Sequence, residues 1–208
     1  MIPVEMLLAF FVASLALGVA PGPDNIFVMT QSAVHGRVVG LVVTLGLCTG
    51  LIVHTLAVAL GVAAVFQTSA VAFTALKIVG ACYLLYLAWL AFRASAAKVD
   101  LHNNLSLNLW QYYRRGIIMN VTNPKVSIFF LAFLPQFADP ERGALTLQIA
   151  ILGLIFIIAT ILVFGSVALL AGILGERFNR STRAQRAMNW LAATVFAGLA
   201  LKLVMTER

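Results

Sequence analysis

The chain has 208 residues, of which 62% are hydrophobic and only 10% charged. A soluble domain carries roughly 25% charged and 45–50% apolar residues, so this composition cannot supply a water-facing surface and excludes a soluble fold. The 14 Lys+Arg against 7 Asp+Glu give a formal charge of +7. The basic residues lie in short loops beside apolar segments, a pattern that orients a protein in a lipid bilayer and does not mark a nucleic-acid surface.

Six apolar segments follow in chain order. The first, at about 3–34, is interrupted by Pro21, Gly22 and Pro23; it has Glu5 where a signal peptide has a basic region, and reads as a retained span. The second, 38–65, and the third, 71–92, are separated by Gln67, Thr68 and Ser69. No charge occurs between Arg37 and Lys77, and about 20 apolar residues suffice to cross a bilayer as a helix. A polar stretch, 93–115, precedes the fourth segment, 116–137, which contains Pro124 and Lys125. The fifth is 144–174, and after the basic loop 176–186 the sixth runs over 187–205. Spans in lipid must satisfy their own backbone groups, so these are helices. Cys48 and Cys82 both fall inside spans and read as small core residues, not as a disulfide framework.

The expected architecture is therefore all-α: a polytopic membrane protein with six transmembrane helices in a single domain, 1–208. Its first three-helix repeat is 1–92, its connecting segment 93–115, and its second repeat 116–208. Leu105, Leu107 and Leu109, followed by Trp110, Tyr112 and Tyr113, read as an interface anchor that positions helix four. Loops after helices one, three and five carry Arg37; Arg93, Lys98, Arg114 and Arg115; and Arg177, Arg180, Arg183 and Arg186. The other side carries Lys77, Arg142, Lys202 and Arg208, so the count is nine against four. That asymmetry places the odd-numbered loops in the cytoplasm and both termini on the periplasmic side.

The two halves echo each other. Helix one contains Pro21-Gly22-Pro23-Asp24-Asn25 and helix four contains Asn123-Pro124-Lys125; each proline precedes an apolar run that ends near an Arg/Gly pair, Gly36-Arg37 or Arg142-Gly143. Three spans reverse the direction of the chain, so matching halves form an inverted 3+3 repeat, and interrupted helices at matching positions point to a transporter's binding site. Proline lacks an amide hydrogen. Pro21 and Pro23 thus free the carbonyls of Leu17 and Val19, and Pro124 frees that of Asn120. Each new helix N-terminus offers amides with positive dipole character, a seat for a carboxylate. Asn25, Asn120 and Asn123 add donors and acceptors.

Asp24 and Lys125 occupy corresponding positions with opposite charge, and an isolated charge at that depth costs at least about 2.5–3.5 kcal/mol. Two readings stand: a structural ion pair between the halves, or groups that meet substrate and proton. His54, midway along helix two, is a candidate for the coupling proton alongside Asp24; the alternative is a neutral ring satisfied by a neighbouring helix.

The stretches PGPDNIFVMTQSAVHGRVVGL, LKIVGACYLLYLAW and RRGIIMNVTNPKVSIFFLAFLPQFADP resemble the LysE/RhtB family of bacterial amino-acid exporters, in order along nearly the whole chain. The resemblance implies six helices in the bacterial cytoplasmic (inner) membrane. It also implies secondary-active efflux of amino acids or close derivatives, driven by proton entry, with no cofactor. Its motif positions are Pro21, Gly22, Pro23, Asp24 and Asn25, then Asn123, Pro124 and Lys125. The chain looks closer to the homoserine/threonine and neutral branch than to the lysine/arginine branch. Alternatives from the residues are export of another small solute or a metal cation, a passive channel, and an intramembrane enzyme. Cys48, Cys82 and His54 are scattered, which disfavours a metal, and H-E-x-x-H, G-x-S-x-G and Walker A elements do not occur. Apolar surfaces facing lipid and facing a second copy look alike, so the sequence leaves homodimer assembly open.

Overall fold

The computed structural model describes residues 2–20, 22–68, 70–93, 108–180 and 182–205. Among them every regular element is helical: α1 Val4–Val19, α2 Pro23–His35, α3 Arg37–Thr68, α4 Ala70–Arg93, α5 Leu109–Thr122, α6 Pro124–Ile128, α7 Leu145–Arg180 and α8 Thr182–Met205. α6 runs on through a π-turn, Phe129–Phe133, and a 3-10 turn, Leu134–Phe137. Residues 94–107, which hold most of the expected connecting segment, lie outside the described residues.

Polar and apolar residues do not sort as in a soluble protein. Asp24, His54, Asn120, Asn123 and Lys125 are buried, while Leu8 and Val12 on α1, Leu45, Ile52 and Leu56 on α3 and Leu154, Ile158 and Ile161 on α7 are exposed. Exposed apolar stripes around a partly polar interior suit a lipid solvent. Arg37–Gly61 and Leu145–Ala171 are each long and apolar enough to cross a membrane. α1 with α2, bent by 61°, and α5 with the 124–137 segment, bent by 51°, would each form one more span. This is a helical membrane protein.

The bend positions follow the prolines, and the ends of the bent segments follow glycine. Gly36 has φ 89° at the α2–α3 joint and Gly143 has φ 124° before α7, a region that a residue with a Cβ enters only under strain. Both belong to the Arg/Gly pairs that close the apolar runs. α5 begins at Leu109, seven residues before the expected start at Gly116, because Asn108 and Gln111 form a reciprocal capping box with both bonds at 2.9 Å. Tyr112 and Tyr113, expected to lie in an interfacial segment, are thus part of the helix, with Tyr112 buried.

α3 is the hub. It packs extensively on α5 and α7, while α1 packs on α7 and α4 pairs with α8. The α3–α5 crossing is close because both helices present glycine: a Cβ built on Gly46 would lie 3.0 Å from the Gly116 Cα. On one side of the bends, Phe10 of α1 contacts Phe129, Phe133, Phe137 and Phe156, with ring centroids 5.1–6.4 Å apart. Pro135, which has no N–H to continue the ladder, falls where the π-turn gives way to the 3-10 turn that ends at Phe137.

Candidate functional site

At the first break, Ala20 turns out of α1 at ψ 130°, Gly22 is extended, and α2 starts with Pro23 in its first turn, where the missing N–H costs nothing. Pro21 itself lies outside the described residues. The last carbonyls of α1 are met by side chains. Asn25 Nδ2 donates to the Gly18 carbonyl at 2.6 Å, and Lys125 Nζ donates to the carbonyls of Leu17 at 3.0 Å and Ala20 at 2.9 Å. A lysine at a helix C-terminus also opposes the negative end of the dipole. Lys125 therefore ties the second broken helix to the end of α1. A Cβ on Gly22 would lie 3.0 Å from Lys125 Nζ, so the extended glycine leaves room for that side chain.

At the second break Asn123 both ends α5 and caps α6. Its Oδ1 accepts from Lys125 N at 3.0 Å, and its carbonyl accepts from Val126 N at 3.1 Å and Ser127 N at 3.0 Å. The expected open amides after Pro124 are thus already occupied, and the first turn of α6 offers no vacant seat for a carboxylate. The Asn120 carbonyl, freed by Pro124, accepts from Asn123 N at 3.1 Å and from His54 Nε2 at 3.2 Å. A carbonyl only accepts, so Nε2 carries the hydrogen. Gly50 lies one turn before His54 on the same face of α3, and a Cβ there would come within 2.6 Å of Asn120 Oδ1. The i, i+4 spacing puts Gly50 and His54 on one face of α3, but that both meet Asn120 is set by packing and is not written in the spacing. The His54 ring also packs on Phe130, with centroids 5.6 Å apart.

Asp24 is 2% exposed. Its carboxylate faces the side chains of Asn123 and Asn120 and lies within electrostatic reach of Lys125 and His54. Among the described residues no hydrogen bond or ion pair joins Asp24 directly to Lys125. The two sit in one region with separate partners. Asp24 Oδ1, Asn25 Oδ1, Asn120 Oδ1 and Asn123 Nδ2 are buried and carry no hydrogen bond from the protein. Orphaned groups of this kind are rare in native interiors, and each calls for a ligand or a strain role. Of the site residues named from sequence, the fold gathers Gly22, Asp24, Asn25, His54, Asn120, Asn123 and Lys125 at the two breaks, whereas the rings of Pro23 and Pro124 face outward. Cys48 and Cys82 take no part; among the described residues no group of three His, Cys, Asp or Glu side chains comes together as a metal site would.

The LysE type translocator family matches residues 15–207. The chain belongs to this family. It is 36% identical over 168 residues to the homoserine/homoserine lactone efflux protein of Salmonella typhi, covering 80% of this chain and 81% of that one. It is 31% identical over 205 residues to an uncharacterized membrane protein of Vibrio cholerae, covering 98% of each. The leucine efflux protein of Salmonella choleraesuis is 24% identical over 199 residues, covering 95% of this chain and 94% of that one. No solved structure matches. The LysE type translocator described here is accordingly a membrane transporter and not an enzyme.

Proposed function

We propose that the chain is a secondary-active exporter of neutral amino acids of the homoserine, threonine and leucine kind across the bacterial cytoplasmic membrane. It works by alternating access around the two broken helices. The observation that carries this reading is the buried Asp24 carboxylate. It sits with open oxygens of Asn25 and Asn120 where the backbone of both broken helices is interrupted, in a family whose relatives are named for amino-acid efflux. Asp24 receives the substrate ammonium in the loaded carrier and a proton when the site returns empty, which couples export to proton entry.

Six spans arranged as an inverted 3+3 repeat, 1–92 and 116–208 joined by 93–115, supply the two alternating halves. The pairing of elements supports this arrangement. Exchanging the first three spans for the last three turns the α3–α5 contact into the α7–α1 contact, and both are present. Lys125 crosses between the halves to the end of α1, so rocking one half against the other acts on the contacts that frame the site.

The test is counterflow in liposomes containing the purified protein. Labelled homoserine and leucine should accumulate transiently against an unlabelled internal pool, saturably, and faster when an inward proton gradient is imposed on the export direction. Unsaturable leak would point to a channel, and silence for every amino acid would remove the reading.

A further inference from the structure

Gln111, Arg114, Arg115 and Ile118 stand at i, i+3, i+4 and i+7 of α5, so they share one face of that helix. All four are exposed, and they line an open cleft of about 190 Å³, the space of roughly six waters. Other faces of α5 do the packing. Gly116 lies against α3, Asn120 is buried at the second break, and the Tyr113 hydroxyl meets that of Thr49 at 2.8 Å. The cleft is thus on the outside of the bundle, behind the first half of the second broken helix.

Its charge is unbalanced. Arg142 is paired with Asp139, but neither Arg114 nor Arg115 meets a carboxylate among the described residues. Gln111 accepts from Asn108 N through its Oε1, which leaves its Nε2 as the open group, a donor. The cleft therefore gathers two positive charges and donors only. Guanidinium forks match the oxygens of a phosphate and bind it with short, charge-assisted hydrogen bonds.

Depth in the bilayer decides which phosphate. The rings of Trp110 and Tyr113 stack with centroids 5.3 Å apart, and Trp110 is exposed; such aromatics mark the headgroup level. Arg114 and Arg115 follow Trp110 by four and five residues, roughly 6–8 Å along the helix. Ile118, a turn further on, is exposed on the same face. The stripe passes from charged to apolar as a phospholipid does, whereas a soluble phosphate would meet only its polar end.

We propose that the Gln111, Arg114, Arg115 and Ile118 face of α5 is a site for an anionic phospholipid, its phosphate held between the two guanidinium groups and its chains lying along Ile118. This goes beyond the efflux reading and does not depend on it.

The test is native mass spectrometry of the purified full chain. Dioleoylphosphatidylglycerol is titrated against dioleoylphosphatidylcholine, which has the same chains and phosphate but carries its own compensating cation. The anionic lipid should bind at least about tenfold more tightly, from two arginines near the membrane surface. Arg114→Gln/Arg115→Gln should bring its binding down to that of the zwitterionic lipid, whereas Arg37→Gln, at another segment end, should leave it unchanged. Both substituted side chains are exposed, so the lipid-free double variant should melt as the wild type does. Wild-type protein that does not prefer the anionic lipid overturns the proposal, as does a double variant that keeps the preference. Glycerol 3-phosphate at the same concentration should not compete; competition equal to that of the lipid would make this a site for soluble anions and overturn the lipid assignment. A lipid-free double variant with a changed oligomeric state would assign the face to a second copy of the chain and overturn it too.

Discussion

A lone lysine in the middle of an apolar span costs at least about 2.5–3.5 kcal/mol, and Lys125 is accommodated because α1 ends in carbonyls that need donors. Replacing it with methionine keeps the length but strips those carbonyls of their hydrogen bonds, each worth roughly 1–3 kcal/mol when left unmade in a buried site. Lys125→Met should therefore lower thermal stability and abolish export, read by melting in detergent and by efflux from preloaded cells. Asp24→Asn differs: it removes a charge that has no direct ion-pair partner, so the protein should reach the membrane at normal abundance and fail to export. The double variant separates the two roles. With no ion pair to cancel, Asp24→Asn/Lys125→Met should stay inactive; restored export would show that the charges serve only each other. The sequence alone was enough to predict a freed carbonyl at Leu17, because the missing hydrogen of proline is a local fact. The donor, 108 residues away, is set by packing, and no local pattern names it. The same holds for His54, whose bond to the Asn120 carbonyl spans 66 residues.

Glycine spacing sets how closely the helices approach. Gly46 and Gly116 let α3 and α5 touch backbone to backbone. A leucine at Gly46 must push them apart, with overpacking of this kind costing about 1–3 kcal/mol. Gly46→Leu should lower the melting temperature of the purified protein, whereas a change at Gly61, which a Cβ would leave without a neighbour within 4 Å, should not. The start of α5 was legible in the N-x-x-Q pattern at Asn108 and Gln111, although the apolar run alone placed it later; capping chemistry, not hydropathy, decides where that helix begins. The turn before α7 is a side-chain construction as well. Asp139 accepts from Glu141 N and Arg142 Nε, both at 2.9 Å, and buried Gln148 bonds both the N–H and the carbonyl of Asp139. The Glu141 amide, followed by Arg142, holds the Asp139 carboxyl below the usual carboxylate range. A depressed folded-state pKa adds stability above the unfolded value and loses it as pH falls through the folded one. The protection of the Glu141 amide, its exchange measured against the intrinsic rate at the same pH, should thus be highest at neutral pH and fall in acid, and Asp139→Asn should remove it throughout. Protection that ignores both pH and the substitution would refute the role of the carboxylate.

At the scale of the molecule, the charges that orient the chain and the charges that serve the site are different sets. Asp24 and Lys125 sit inside, on the broken helices, while arginines gather at segment ends: Arg37 after Gly36, and Arg114 and Arg115 on the exposed face of α5. Membrane insertion reads the second set, because short loops rich in Lys and Arg stay in the cytoplasm. The echo between the halves was visible in the sequence because prolines and Arg/Gly pairs mark breaks and ends locally, and Gly36 and Gly143 do adopt positive φ. Which helices touch was not visible, since a span that is apolar all round carries no stripe to say which face meets a neighbour. Orientation is therefore the global property that rests most directly on composition. The nine basic residues after odd-numbered spans, against four on the other side, predict that both termini face the periplasm. A reporter that fluoresces only in the cytoplasm should stay dark when fused after Arg208 and light up when inserted in the 93–115 segment. As a second probe, single cysteines in a Cys48- and Cys82-free background should react with an impermeant thiol reagent added outside when placed at Val4, and not when placed at Arg114. Light from the C-terminal fusion, with a silent insertion, would reverse the orientation and with it the direction in which the site at Asp24 is loaded.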